Sequence, residues 1–240
     1  MDSALAAAVA PVVEGHDGRL SVAVLDTVSG RSAAYAPDGG TYDTASVVKL
    51  GVLCALLLSA QDAGRELTAG ERARAAAMIE RSDNEATSEL WDALGRAEAL
   101  DAAHARLGLT GTTGGAGPLW GLTRTTAADQ VALLRQVFGV GEGLVLSAAS
   151  RSCVRELMGR VVAGQAWGVS AAGAAELKNG WLPRSTTGLW VVNSVGRVRA
   201  DGVRALVAVL SDGSPTMDAG VALVEAVARA AVGVVVSGGG

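Results

Sequence analysis

Hydrophobic and polar positions along the first part of the chain predict a helix, two strands and a second helix. Residues 3–14 have helical spacing, and residues 20–26 (LSVAVLD) and 32–35 are strand-like runs joined by the turn sequence TVSGR. Residues 46–60 are apolar on every side. That pattern predicts a helix that is buried all round in the middle of a lobe.

The middle of the chain has helical spacing and the last third has strand-like spacing. Helices are predicted at about 68–80, 84–94, 96–107, 125–138 and 147–163, with a Gly- and Thr-rich loop at 108–124. Strands are predicted at 175–181, 189–198 and 205–211, followed by a helix at about 216–232.

This order of elements predicts an α/β (α+β) fold with one antiparallel sheet. Strands connected as hairpins pair antiparallel, so the first two and last three strands are expected to form a five-stranded sheet flanked by the terminal helices. Residues 1–40 and 165–240 would form a discontinuous sheet lobe and residues 41–164 an all-helical lobe. The active site is then expected in the cleft between the two lobes.

Composition excludes several classes of function. Apolar residues make up 50% of the chain but aromatic residues only 3%, so the core is aliphatic. The net charge of −4 and the absence of a basic run give nucleic-acid binding no electrostatic support. Two cysteines and two isolated histidines favour neither a zinc site nor a histidine-based triad, so we expect no metal and no cofactor.

We also expect no membrane span, because the apolar run at residues 50–58 is too short to cross a bilayer. The acidic start of the chain lacks the basic region of a signal peptide. Either a cytoplasmic location or a removed leader fits that start, so the compartment is left open.

The chain has only two lysines, Lys49 and Lys178, against eighteen arginines. Arginine does not lose its proton in a protein, whereas the pKa of a buried lysine can fall far enough for it to act as a base. Both lysines are therefore catalytic candidates. Codon bias with two leftover surface lysines is the alternative.

Ser46 and Lys49 lie three positions apart at the start of the apolar run, so their side chains share a helix face. A desolvated Lys49 amine would take the Ser46 proton and make the hydroxyl a nucleophile. The alternative is that Thr44 or Ser46 only caps the helix while Lys49 extends outward to solvent.

Two further motifs each have a structural alternative. Ser82-Asp83-Asn84 precedes a predicted helix, where Ser82 and Glu85 would form a capping box. Lys178-Asn179-Gly180 lies in a strand-like run, where Gly180 would mark a β-bulge beside an exposed lysine.

Taken together and in this order, SVVK at 46–49, SDN at 82–84 and KNG at 178–180 resemble the S-x-x-K, S-D-N and K-[TS]-G motifs of the serine β-lactamase and penicillin-binding protein superfamily. The resemblance is greatest to its class A β-lactamase-like branch and covers nearly the whole chain. It implies a two-lobed fold with the active site in the cleft. The family is usually extracytoplasmic.

The resemblance also implies roles for particular residues. Ser46 would be the acylated nucleophile, Lys49 its base, and Ser82 a proton relay assisted by the Lys178 ammonium. The implied substrate-binding residues are Asn84, Asn179, Gly180 and Trp181. Lys178 and Asn179 would hold a substrate carboxylate, and the backbone N–H groups of Ser46 and Trp181 would form an oxyanion hole.

Three features depart from the family pattern. Asn179 replaces the usual Thr or Ser, the stretch from Lys49 to Ser82 is short, and the loop between Leu107 and Thr126 contains no Asp or Glu. In class A enzymes a Glu of the equivalent loop activates the deacylating water.

The resulting hypothesis is a serine acyl-enzyme hydrolase acting on an amide, peptide or ester bond, rather than an efficient β-lactamase. The alternative is a non-turnover ligand-binding or penicillin-sensing module on the same fold. The expected partner is a small-molecule or peptide substrate, with or without a carboxylate, bound by a monomer.

Overall fold

The computed structural model describes residues 1–237, and its elements follow the predicted order. Its α-helices are α1 (Asp2–Val13), α2 (Val48–Asp62), α3 (Ala69–Glu80), α4 (Asn84–Leu94), α5 (Arg96–Leu107), α6 (Ala127–Phe138), α7 (Ala148–Met158) and α8 (Met217–Ser237). Its strands are β1 (Arg19–Asp26), β2 (Ser32–Tyr35), β3 (Tyr42–Asp43), β4 (Arg124–Thr125), β5 (Ala174–Pro183), β6 (Trp190–Ala200) and β7 (Val203–Ser214).

Five strands form one antiparallel sheet in the order β2-β1-β7-β6-β5, which confirms the predicted fold class. Strand β5, which carries the Lys178 motif, is an edge strand and is hydrogen-bonded only to β6 within this sheet. The short ribbon of β3 and β4 was not predicted, because two residues are too few to show a hydrophobic period.

Two hydrophobic clusters lie on the two faces of the sheet. Helices α1 and α8 cover one face through residues such as Leu5, Val224 and Val227. The other face, with Ala208 and Leu210, packs against the cluster built around α2. The predicted lobe limits at residues 40/41 and 164/165 stay a prediction.

Helix α2 is buried on all sides, as its apolar pattern predicted: every residue of Val48–Leu58 has less than a tenth of its surface exposed. Two boundaries differ from those predicted. The helix begins at Val48 after a 3-10 turn, Ala45–Val47, rather than at residue 46. The helix predicted at 147–163 ends at Met158, because Gly159 caps it and residues 163–165 form a separate 3-10 turn.

Two segments are long and apolar enough to cross a membrane by length and composition alone. They are Ala45–Asp62 and Met217–Ser237. Of the most apolar 18-residue stretch in each, 78% and 44%, respectively, is buried within the structure. The core helix of a soluble protein passes the same test, so the expectation of no membrane span stays a prediction.

Candidate active site

A cleft of about 560 Å³ lies beside Ser46 and is open to solvent. Its lining comes from the turn before α2, the start of α4, the loop before β4 and the end of β5, that is, from Ala45, Ser46, Asn84, Pro118, Leu119, Trp120, Gly121, Leu122, Trp181, Leu182, Pro183, Arg184, Ser185 and Thr186. Residues from all three sequence motifs or their immediate neighbours thus meet at this cleft.

Ser46 lies on the 3-10 turn and is half-buried. Ala45, just before it, has a left-handed backbone (φ 45°), a conformation that costs energy for a residue with a Cβ and is concentrated at functional sites. The Asn193 side chain holds the turn from the sheet by donating to the Thr44 carbonyl at 3.1 Å. The serine is therefore presented to the cleft by a turn fixed from behind.

Gly180 allows β5 to approach this turn closely. A Cβ at Gly180 would lie 2.6 Å from the Ser46 nitrogen and 2.7 Å from the Val47 nitrogen, which leaves no room for any side chain. The pairing of β5 with β6 is continuous through Gly180, so the interpretation of this glycine as a β-bulge is wrong. Its role is the close approach of two backbones.

Lys49 is fully buried, so the interpretation that it extends to solvent is wrong. Its Nζ donates to the Ser82 carbonyl at 2.7 Å, to Ser82 Oγ at 3.1 Å and to Asn84 Oδ1 at 2.7 Å. Burial lowers the pKa of Lys49 to about 7, although the nearby Asp83 opposes the shift. Within residues 1–237 no hydrogen bond joins it to the Ser46 hydroxyl, the partner predicted from their spacing.

Ser82 does not cap α4. The helix is capped by Asp83, whose carboxylate accepts from the Ala86 amide at 2.8 Å, so the capping box predicted with Glu85 is wrong. Ser82 has a left-handed backbone (φ 56°) that turns its hydroxyl toward the two lysines.

Lys178 is also fully buried, contrary to the interpretation as an exposed lysine beside a bulge. Its Nζ donates to Ser82 Oγ and to the Asn179 carbonyl, both at 2.9 Å. Burial, and then the charge of Lys49, lower the pKa of Lys178 well below its usual range. Because both lysines share one hydroxyl and neither has an ion pair with a carboxylate among residues 1–237, this arrangement disfavours two positive charges at once.

The structure brings Asn84 and Trp181 to the cleft, as predicted, and takes the Asn179 side chain away from it. Asn84 lines the cleft, and its side-chain oxygen accepts from Lys49 Nζ. Asn179 is fully buried, and its amide donates to the carbonyls of Gln165 and Trp167. The implied contact of Asn179 with a substrate carboxylate has no support from this orientation.

Trp120 lines the cleft and is a site residue to which none of the three sequence motifs points. Its ring lies over Lys49, with Nζ 4.9 Å from the ring centroid, and its indole N–H donates to Ser88 Oγ at 3.2 Å. The loop that carries it is anchored to the Ser46 turn, because the Thr44 amide donates to the Thr123 carbonyl at 2.8 Å. An aromatic face thus covers the amine from the side of the loop.

None of the cleft-lining side chains of residues 1–237 is a carboxylate. Three acidic side chains of the helical region lie outside the cleft lining: Asp83 caps α4, Asp129 accepts from the Gly111 amide at 2.8 Å, and Glu85 is exposed. Arg184, on the cleft rim, is paired with Asp43 at 2.7 Å. Residues 1–237 also hold no group of three or more His, Cys, Asp or Glu side chains that could bind a metal ion.

Comparison with known proteins agrees with this architecture. A β-lactamase from Desulfarculus baarsii is 22% identical, with a TM-score of 0.78 over 98% of both chains. A variant of the last common ancestor of Gram-negative class A β-lactamases is 26% identical, with a TM-score of 0.77 over 98% of this chain and 99% of the other. A mutant of PBP-A, solved as an acyl-enzyme with penicillin G, is 22% identical, with a TM-score of 0.80 over 99% of this chain and 96% of the other.

The fold is therefore that of class A β-lactamases. No curated protein sequence matches the chain at a significant level. The family model of the beta-lactamase enzyme family matches residues 58–235, a span that includes the Ser82 and Lys178 motifs and begins after Ser46 and Lys49. Because this match covers well over half of the chain, the protein belongs to the beta-lactamase enzyme family.

Proposed function

We propose that the protein is a serine acyl-enzyme hydrolase that cleaves an amide, peptide or ester bond, with Ser46 as its nucleophile. One observation carries the proposal: two buried lysines donate to a single serine hydroxyl, that of Ser82, and one of them, Lys49, also donates to Asn84, which lines the cleft together with Ser46. Perturbed pKa values at a cleft are typical of catalytic groups.

In the acylation step, Ser46 Oγ attacks the substrate carbonyl while Lys49 takes its proton. A pKa of about 7 leaves a large fraction of Lys49 neutral near neutral pH, which the role of a base requires. The close packing of Gly180 on the Ser46 turn supports an oxyanion hole made by the backbone N–H groups of Ser46 and Trp181.

Collapse of the tetrahedral intermediate requires a proton for the leaving group. In this proposal Ser82 relays it: its hydroxyl gives its own proton to the leaving group and receives, through the hydrogen bond from Lys49 Nζ, the proton that Lys49 took from Ser46. The pKa of Lys178 is lowered, so a neutral amine that positions Ser82 fits the site better than the ammonium first inferred from the motif. Substrate contacts would come from Asn84 and Trp181, and a substrate carboxylate would meet Arg184 at the rim.

A second candidate is a non-turnover module that is acylated by a ligand and retains it. The carboxylate-free cleft lining, with Trp120 over Lys49, favours this candidate for β-lactam ligands. Intact-protein mass spectrometry after exposure to a fluorescent penicillin and to a fluorophosphonate separates the possibilities. Labelling identifies a reactive serine, and the lifetime of the adduct distinguishes a hydrolase from an acceptor.

The rate of labelling should depend on pH through Lys49. Only the neutral amine accepts the Ser46 proton, so the rate constant should rise from about pH 5 with a midpoint near 7 and level off above it. The measurement is the fluorophosphonate labelling rate against pH, with Lys49→Met as the control that should lose this rise. A midpoint near 10, the usual range of a solvent-exposed lysine, would contradict the role given to Lys49.

β-Lactam adducts should persist. Hydrolysis of an acyl-enzyme ester needs a water activated by a positioned base, and no carboxylate lines this cleft within residues 1–237. Turnover of nitrocefin should therefore be weak. Replacing Trp120, which covers Lys49, with glutamate should shorten the adduct lifetime by up to about 10²-fold, the lower end of the effect of a general base.

The matched variant Trp120→Gln opens the same space without adding a base and should leave the lifetime long. Rapid multi-turnover hydrolysis of nitrocefin by the unmodified protein would refute this prediction. Asp83, Glu85 and Asp129 would then be the first carboxylates to replace.

A further inference from the structure

Asn179, the middle residue of the third motif, uses its side chain inside the protein. Its Nδ2 donates to the Gln165 carbonyl at 2.8 Å and to the Trp167 carbonyl at 2.9 Å, so both amide hydrogens have partners. Its Oδ1 has no hydrogen-bond partner among residues 1–237. The two N–H donors, and not the oxygen, are therefore what this position contributes.

The segment that Asn179 holds, residues 162–169, is also bonded to the backbone that leads into Ser82. The Gln165 side chain donates to the Arg81 carbonyl at 3.0 Å. Three residues earlier, the Val162 amide donates to the Glu80 carbonyl at 3.0 Å. The 162–169 segment thus fixes the two residues that immediately precede Ser82.

Ser82 needs such support, because its left-handed backbone (φ 56°) is unfavourable for a residue with a Cβ. The same segment supports a second part of the site. The Trp167 ring packs edge-to-face on Trp181, with their centroids 5.9 Å apart. The buried Asn179 side chain therefore connects β5 to the turn that carries Ser82, through Gln165, and to the cleft-lining Trp181, through Trp167.

We infer that Asn179 is a positioning residue that orders the 162–169 segment and, through Gln165, fixes the Ser82 turn, instead of contacting the substrate. This inference rests on the proposed function for its catalytic consequence. A threonine or serine would supply one donor where asparagine supplies two, and aspartate would turn two attractive contacts into repulsion between oxygens.

The test compares Asn179→Asp and Asn179→Thr with the unmodified protein, using a fluorescent penicillin, which has a carboxylate, and a fluorophosphonate, which has none. Displacement of Ser82 should lower the maximal labelling rate with both probes. We expect a loss of up to about 10²-fold for aspartate, the size of effect that a misplaced catalytic group produces, and less for threonine. The probe concentration at half-maximal rate should change little. A loss confined to the penicillin, or an unchanged rate in both variants, would overturn the inference.

A second variant tests the link through Gln165. Gln165→Met removes the donor to the Arg81 carbonyl and leaves the carbonyl that Asn179 uses, so it should reproduce the same pattern more weakly. Gln136→Met is the matched control, since it makes the same substitution and removes a side-chain hydrogen bond to a backbone carbonyl, that of Gly143, outside the 162–169 segment. It should label normally.

An NMR measurement that does not depend on activity tests the positioning role of Asn179 separately from the proposed hydrolase function. The chain has only two lysines, so labelling with [ε-¹³C]lysine gives two resonances, both from amines that donate to Ser82. Both resonances, and their pH midpoints, should shift in Asn179→Asp and Gln165→Met and stay in place in Gln136→Met. Unchanged resonances in both variants would overturn the positioning role, whereas failure of the unmodified protein to label would reject only the proposed function.

Discussion

Replacing Ser46 with alanine is expected to abolish covalent labelling by both the fluorescent penicillin and the fluorophosphonate. Ser46 is the hydroxyl presented to the cleft from the strained turn beside the buried lysines, and alanine has no nucleophile. The side chain is half-buried and its loss leaves the packing of Gly180 on the turn intact, so the thermal unfolding midpoint should change little.

Ser185→Ala is the matched control for this experiment. Ser185 lines the same cleft and is exposed, but it follows β5 and does not lie on the turn that leads into Lys49. It should label at the rate of the unmodified protein. Retained labelling of Ser46→Ala, with the adduct mapped to another serine, would reject Ser46 as the nucleophile.

Replacing Lys49 with methionine or arginine is expected to cost roughly 10²–10⁴-fold in the labelling rate, the usual contribution of a general base. Methionine removes the amine at nearly constant shape, and arginine keeps a charge that cannot be given up. The measurement is the labelling rate constant at saturating fluorophosphonate, together with the thermal unfolding midpoint.

Lys178→Met is the control that distinguishes loss of the general base, Lys49, from loss of any buried amine beside Ser82. Both lysines are fully buried and donate to the Ser82 hydroxyl, so the two methionine variants remove the same kind of contact and should lower the thermal unfolding midpoint to a similar extent. Only Lys49→Met should abolish the rise of the labelling rate through pH 7, while Lys178→Met should slow labelling and keep the rise. A pH profile that disappears with Lys178 and survives without Lys49 would reverse the two assignments.

The elements with strong periodicity were predictable from the sequence. The all-round apolar pattern of α2 predicted its burial, and the hairpin-like order of strands predicted one antiparallel sheet. Two helix boundaries were predicted wrongly because of local backbone geometry. Helix α7 ends early, at Gly159, and residues Ala45–Val47 form a 3-10 turn before α2. Such effects depend on a few backbone angles that hydrophobic spacing does not reveal.

The residues of the site were predictable from the motifs to different degrees. Lys49, Lys178 and Ser82 lie together as predicted, because motif chemistry requires their functional atoms to meet. For Asn179 the period-two alternation of a strand carried a usable signal, since it places this side chain on the face opposite Lys178 and Gly180.

Trp120 had no comparable signal. Its place over Lys49 results from a loop whose path is fixed by contacts with distant residues, among them Thr44 and Ser88. Loop paths of this kind have no sequence period, so only the folded chain shows which of its tryptophans reaches the amine.

The most direct test of the central claim is peptide mapping by tandem mass spectrometry after brief exposure of the unmodified protein to a penicillin at pH 8. At that pH most of Lys49 is neutral, given its pKa of about 7, and acylation should be near its maximal rate. The account predicts one adduct, on Ser46, that is still present long after free penicillin is removed. An unmodified chain, or an adduct on any other residue, would contradict it.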